Sequence, residues 1–109
     1  MKGFSTHDDM QWIELGGSQR RKIRSYNGDI MLVEADFDEG SVGAVHTHPH
    51  AQISYVLSGE FDYTLEGQVY AMKAGDSIAV DGGKPHGLTC VKAGTVLDIF
   101  TPMREDFVG

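Results

Sequence analysis

The sequence predicts an all-β fold, a sandwich or barrel, on three observations. Glycine supplies 14 of the 109 residues, well above the ~7% of an average chain, which implies many tight turns. Short runs rich in β-branched and aromatic residues alternate with those turns at intervals of roughly 8 to 12 residues. No segment carries the 3.6-residue apolar period of an amphipathic helix.

The elements follow in chain order. The basic stretch Arg20, Arg21, Lys22 and Arg24 reads as an edge strand kept soluble by charge, in preference to an anion site. "YNGD" (26–29) is an Asn-Gly hairpin signal, followed by the run "DIMLVEADF". "DFDEGSVG" (36–43) is a loop whose acidic residues are solvated. "QISYVL" and "FDYTL" are strands parted by a turn at "SGE" (58–60). "LEGQ" (65–68) turns into "QVYAM", and "KAGDS" (73–77) turns into "SIAV". "DGGKPHG" (81–87) leads to "GLTCV", and "KAGT" (92–95) to "TVLDIF". With no linker, repeat or low-complexity segment, residues 1–109 read as a single domain.

Charge and composition exclude whole classes of partner. Nine Lys and Arg stand against 16 Asp and Glu, a net charge of -7. Nucleic-acid and anionic-membrane binding need a basic footprint, so neither is expected. Cys90 is the one cysteine; an internal disulfide is impossible and a reducing compartment fits. The opening "MKGFSTHDDMQWIELGG" has no apolar run resembling a secretion signal, and nothing later is long enough to span a bilayer. The expected location is cytoplasmic. Small barrels leave exposed edges. Trp12 and the "RRKIRSY" run are free to cross to a partner sheet, so a homodimer is expected.

Chemistry concentrates in "HTHPHAQ" (46–52), which holds three of the five histidines. Side chains on a strand alternate faces, so His46 and His48 point the same way, ~6–7 Å apart along the chain. Their ring nitrogens can converge on one ion at ~2.0–2.1 Å. Pro49 biases His48 toward extended backbone. Gln52 shares the parity and can bring its amide oxygen to the same ion. His50 shares it too, but follows a proline at a bend and is not expected to reach. Spacing, parity and the later His86 favour a ligand set over a chance cluster of loop histidines.

These residues resemble the two sequence motifs of the cupin family. "GSVGAVHTHPHAQISYVLSG" is similar to the first, G-x5-H-x-H-x3-E-x6-G, through Gly40, His46, His48, Gln52 and Gly59. "GDSIAVDGGKPH" is similar to the second, G-x5-P-x-G-x2-H, through Gly75, Gly83 and His86. Gln52 replaces the motif glutamate, Asp81 the motif proline, and Cys90 stands where an asparagine often closes the second motif. The first motif occupies 40–59, the second 75–90, and a last strand and tail follow at 95–109. The resemblance implies a cupin-type double-stranded β-helix, a jelly-roll barrel. It also implies one divalent metal ion per chain, held by His46, His48, Gln52 and His86. Zinc, nickel, iron, manganese and copper all remain open.

Gln52 then acquires a chemical meaning. Three imidazoles and an amide cancel none of the ion's charge. Such a site is a stronger Lewis acid and a better host for an anionic ligand than one containing a glutamate.

At the C-terminus, "LDIFTPMREDF" (97–107) gives Asp98 and Phe100 the same parity, with Arg104 beyond Pro102. An aspartate amid "VLDIF" is costly to bury unless it is paired or working; a structural carboxylate tied to backbone donors is the plainer alternative. D-x-F-x3-R after cupin motifs resembles the small cupins of pectin and alginate breakdown that linearise 4,5-unsaturated monouronates, which also carry the glutamine. The resemblance implies a small acidic sugar as substrate. Asp98 would be general acid/base, Arg104 would grip the carboxylate, and Phe100 would wall the ring. A metal-dependent dioxygenase and a non-catalytic sugar- or metal-binding cupin are the alternatives.

The other candidates read as structural. Phe61, Tyr63 and Tyr70 are expected more in the core than in a sugar pocket. Cys90 reads as a small buried hydrophobe, Asp81 as a turn residue and His7 as part of a loose terminus.

Overall fold

The computed structural model describes residues 2–108. Its strands are β1 (Ile13–Gly16), β2 (Gln19–Tyr26), β3 (Met31–Phe37), β4 (Val42–His46), β5 (Ala51–Leu65), β6 (Gln68–Lys73), β7 (Ser77–Val80) and β8 (His86–Thr101). A one-turn helix, α1 (Glu105–Val108), follows. The main strand path is β1-β2-β3-β8-β5-β6, with β4 paired to β8 and β7 to β5. The named strand pairs are all antiparallel.

Two long bent strands organise the barrel. The first half of β5 pairs with the second half of β8, from Gln52↔Phe100 to Val56↔Val96. Its second half pairs with the start of β8, from Phe61↔Cys90 to Leu65↔His86. Each pair of half-strands belongs to a different layer, flanked by β3 and β7 on one side and by β4 and β6 on the other. Ala35, Phe37, Val56, Val80 and Val96 from one layer meet Phe61, Tyr63, Met72 and Cys90 from the other in one core cluster. Phe37 meets Phe61 edge to face at 5.4 Å. The all-β, jelly-roll expectation is borne out.

"SGE" and "KAGT" are not the turns between separate strands that the sequence predicts. They are corners at which β5 and β8 bend together without leaving the ladder, with the register slipping between Val56 and Phe61. Glycine makes the bend possible. Gly59 has φ +83°, and a Cβ there would lie 2.5 Å from the Lys92 carbonyl oxygen. A Cβ on Gly94 would run into the Ser58 carbonyl.

The basic stretch is likewise not a charged edge, because β1 lies outside it. Alternation splits its residues between two faces. Arg20 and Arg24 pair with Asp36 and Glu34 at 3.4 and 2.7 Å. Lys22 is buried and donates to the His7 carbonyl at 2.9 Å. Arg21 faces inward beside Ile23. Trp12 packs under Arg20 and Lys22 of its own chain, 4.5 and 4.7 Å from its ring centroid. Among the described residues, no helix is long and apolar enough to cross a membrane.

Candidate active site

Three elements deliver the histidines to one place. His46 ends β4, His48 lies in the loop to β5, and His86 opens β8 directly opposite His46. The loop before β8 latches onto the His48 loop: Gly83 N–H donates to the His48 carbonyl at 2.8 Å. Gly82 sits so close to the Pro49 carbonyl that a Cβ would collide with it. The ring centroids of His86 lie 4.5 Å from His46 and 4.8 Å from His48. One ligating atom from each of the three residues lies within 4.8 Å of the others. His48 and His86 are buried; His46 is at the exposed rim.

Hydrogen bonds decide which ring nitrogens face inward. Nδ1 of His46 lies 2.9 Å from the Ala44 carbonyl and Nδ1 of His86 2.8 Å from the Lys84 carbonyl. A carbonyl oxygen can only accept, so each Nδ1 carries the proton and each Nε2 presents a lone pair in the neutral ring. Burial pushes the pKa of His48 and His86 below the ordinary imidazole value, which favours neutral rings.

Gln52, buried on β5, completes the group. Its Oε1 lies 2.7 Å from His48 Nε2 and 3.1 Å from His86 Nε2. Lone pair therefore faces lone pair between Gln52 and His86, an arrangement that a cation among them would satisfy. The donor set fits a divalent ion: all neutral, imidazole-rich and convergent. His50 does not join it; the ligating atoms that converge are those of His46, His48 and His86.

The other end of the Gln52 amide is tied into a hydroxyl–carboxylate network. Nε2 donates to Ser54 Oγ at 3.0 Å and to Tyr63 Oη and Asp98 Oδ1 at 3.4 Å each. Ser54 Oγ donates to Asp98 Oδ1 at 2.6 Å and lies 3.0 Å from Tyr63 Oη. Burial raises the Asp98 carboxyl to about 6, opposed by the Ser54 hydrogen bond and by the positive charge of Arg104. Desolvation also raises the Tyr63 phenol, so it remains protonated and able to donate.

Phe100 and Arg104 form the facing wall. Phe100 is buried, with its ring centroid 5.7 Å from that of His48. The Arg104 guanidinium carbon lies 5.1 Å from the Phe100 centroid and 4.2 Å from that of Phe107 on α1. Its Nε and Nη2 donate to the two Asp106 oxygens at 3.0 and 2.8 Å. His46, Gln52, His86, Asp98, Phe100 and Arg104 line one cavity of about 160 Å³.

Six of the seven predicted site residues thus line a single cavity, and His48 adjoins it through its contacts with Gln52 and His86. Sequence reasoning missed Ser54, although it has the parity of Gln52, and it missed the inward-facing Arg21. Tyr63 is a core residue as expected, but its hydroxyl belongs to the site. Phe61 and Cys90 are core and Tyr70 is exposed. Asp81 is exposed at the turn after β7, and His7 is exposed in the N-terminal segment.

A jelly roll with convergent histidines from two motif halves defines a cupin. Residues 33–100 match the family described as "Cupin domain", and the chain belongs to that family. Within it, the chain is 36% identical over 110 residues to the pectin degradation protein KdgF of Dickeya dadantii (strain 3937), covering 99% of this chain and all of that protein. The structure of KdgF from Halomonas sp. superposes with a TM-score of 0.92 at 32% identity, covering 98% of this chain and 99% of that one. An RmlC-like cupin from Shewanella frigidimarina NCIMB 400 superposes with a TM-score of 0.94 at 37% identity, covering 98% and 96%.

Proposed function

We propose that this chain opens and tautomerises 4,5-unsaturated monouronates to linear keto-uronates in pectin or alginate catabolism, using one divalent ion per chain. Support comes from full-length similarity to a pectin degradation protein. The observation that carries the reading is the cavity itself. It sets a neutral, cation-competent cluster, a carboxyl group and a guanidinium around one small volume.

The substrate is a cyclic hemiacetal with a ring enol ether beside its carboxylate. Breaking the bond from the ring oxygen to the hemiacetal carbon, with loss of the hydroxyl proton, gives an aldehyde and an enolate. Protonation of the neighbouring alkene carbon then gives a 2-keto acid. Atoms balance within the substrate, so the reaction is an isomerisation.

His46, His48, Gln52 and His86 would hold the ion, which when bound supplies Lewis-acid stabilisation of the developing enolate charge. Asp98 moves the proton. Its Oδ1 is occupied by Ser54 and Gln52, which leaves Oδ2 as the oxygen that takes or delivers it. Arg104 binds the carboxylate with the guanidinium edge not used by Asp106. Phe100 packs against the ring and helps to exclude water.

The test is incubation of the metal-loaded protein with an unsaturated monouronate while following loss of ultraviolet absorbance from the conjugated enol ether. Absorbance should fall without oxygen uptake. Oxygen consumption would support the dioxygenase alternative, and unchanged absorbance despite bound metal and sugar would support the non-catalytic one.

A further inference from the structure

Arg21 is the arginine that the proposed reaction has not used. It projects from β2 into the cavity that Gln52, His86 and Asp98 line. Its guanidinium carbon lies 3.6 Å from the Phe107 ring centroid, and the same ring carries Arg104 at 4.2 Å. Two cations therefore share one aromatic ring at the mouth of the site.

Their hydrogen-bonding states differ. Asp106 takes two donors of Arg104. Arg20 and Arg24 are paired on the outer face. Arg21 has no ion pair among the described residues, and its Nε is buried without a hydrogen-bond partner. A buried donor without an acceptor is costly, more so on a charged group. Burial, and then the charge of Arg104, hold its pKa below the usual arginine value, which expresses the same cost. Stacking on Phe107 offsets part of it but satisfies no N–H. Arg21, Arg104 and Asp106 together carry a net charge of about +1, in a chain whose net charge is -7.

We infer that Arg21 is a second substrate-binding residue, whose unpaired guanidinium meets the carboxylate of the acidic sugar alongside Arg104. The inference rests on the proposed function and extends it. Arg104, tethered by Asp106, offers only its remaining edge, whereas Arg21 offers a fork with nothing yet bound to it. Preference for an acid over its neutral ester is then set largely by Arg21. Its position on Phe107 also couples binding to α1, since both arginines hold that ring in place.

The experiment compares an unsaturated monouronate with its methyl ester in metal-loaded full-length protein, with KM (or Ki where an ester is not turned over) read by ultraviolet absorbance. Arg21→Gln should raise KM for the acid roughly 10- to 100-fold, the loss of one charge-assisted hydrogen-bonding partner. The ester constant should stay within about two-fold, because a neutral carboxyl group loses no ion pair. Equal rises for acid and ester would overturn the inference and leave Arg21 as a packing residue for α1. An unchanged acid KM would overturn it as well. If Arg21→Gln does not fold, by melting temperature, Arg21→Lys is read in the same comparison; it keeps charge and stem, loses the fork, and should show a smaller rise confined to the acid. Wild-type protein that converts neither compound would instead refute the proposed function, on which this inference depends.

Discussion

Ser54 and Asp98 stand directly opposite each other on β5 and β8, and the Ser54 hydroxyl donates to Asp98 Oδ1 at 2.6 Å. Cross-strand pairing thus fixes one oxygen of the carboxyl group and leaves the other free of the Ser54 and Gln52 hydrogen bonds. Gln52, two residues before Ser54, reaches the same Oδ1 with its amide N–H while its carbonyl oxygen faces the histidines. The carboxyl group and the candidate ligand cluster are therefore positioned by one strand.

This arrangement predicts a separable effect for Asp98→Asn. The side chain keeps its size and polarity but loses the titrating proton. Turnover should fall roughly 10²- to 10⁴-fold with metal content unchanged. Near-normal turnover accompanied by a lowered melting temperature would make Asp98 a core hydrogen-bonding group and not a catalyst.

Metal content should follow the histidines. Protein prepared without chelator should contain about one divalent ion per chain. A His48→Ala, His86→Ala double variant removes the two buried imidazoles nearest Gln52 Oε1 and should lose it. Elemental analysis of both proteins decides the matter, and unchanged metal content in the double variant would refute the ligand assignment.

Much of this site is legible in the sequence because strand parity and motif spacing are local. The H-x-H spacing, Gln52 at the same parity and D-x-F on the last strand each predict a common face. Corners are harder to read. "SGE" around Gly59 and "KAGT" around Gly94 have hairpin composition, and only the close approach of their two backbones shows that they bend one ladder. Arg21 was obscured by its neighbours. Four cations in five positions suggest a solvated face, but alternation sends Arg21 inward while Asp36 and Glu34 on β3 neutralise Arg20 and Arg24 outside. Ser54 gave no signal of its own, because its role arises from the residue opposite it, 44 positions away.

The outer face of the barrel bears on assembly. Ile53, Tyr55 and Leu57 on β5 are exposed, beside Ile99 and Leu97 on β8. The ion pairs Arg24–Glu34 and Arg20–Asp36 border that face and are internally compensated. An apolar face with neutralised borders can meet its own copy across a two-fold axis without like-charge repulsion, despite the net negative charge of the chain. We expect a homodimer built on this face and not on Trp12, over whose ring Arg20 and Lys22 of β2 lie. Light scattering should give twice the chain mass, and Tyr55→Glu should shift it toward monomer. A monomeric wild type at micromolar concentration would contradict this.

Arg104 poses a sharper question, because its hydrogen bonds to Asp106 and its stacking on Phe100 and Phe107 already account for its burial. If it only anchors α1, substitution should lower the melting temperature and affect the kinetics only through lost stability. If it also binds the carboxylate, Arg104→Lys should raise KM with a smaller change in kcat, since lysine keeps the charge but has no planar fork. Asp106→Asn supplies the control. It weakens the tether while leaving the guanidinium in place, so an anchoring role predicts that it will mimic Arg104→Lys, whereas a binding role predicts a much smaller KM change. Measuring kcat, KM and melting temperature for both variants separates the roles. A large fall in kcat with KM unchanged in Arg104→Lys would place the interaction in the transition state and overturn the assignment of Arg104 to ground-state carboxylate binding.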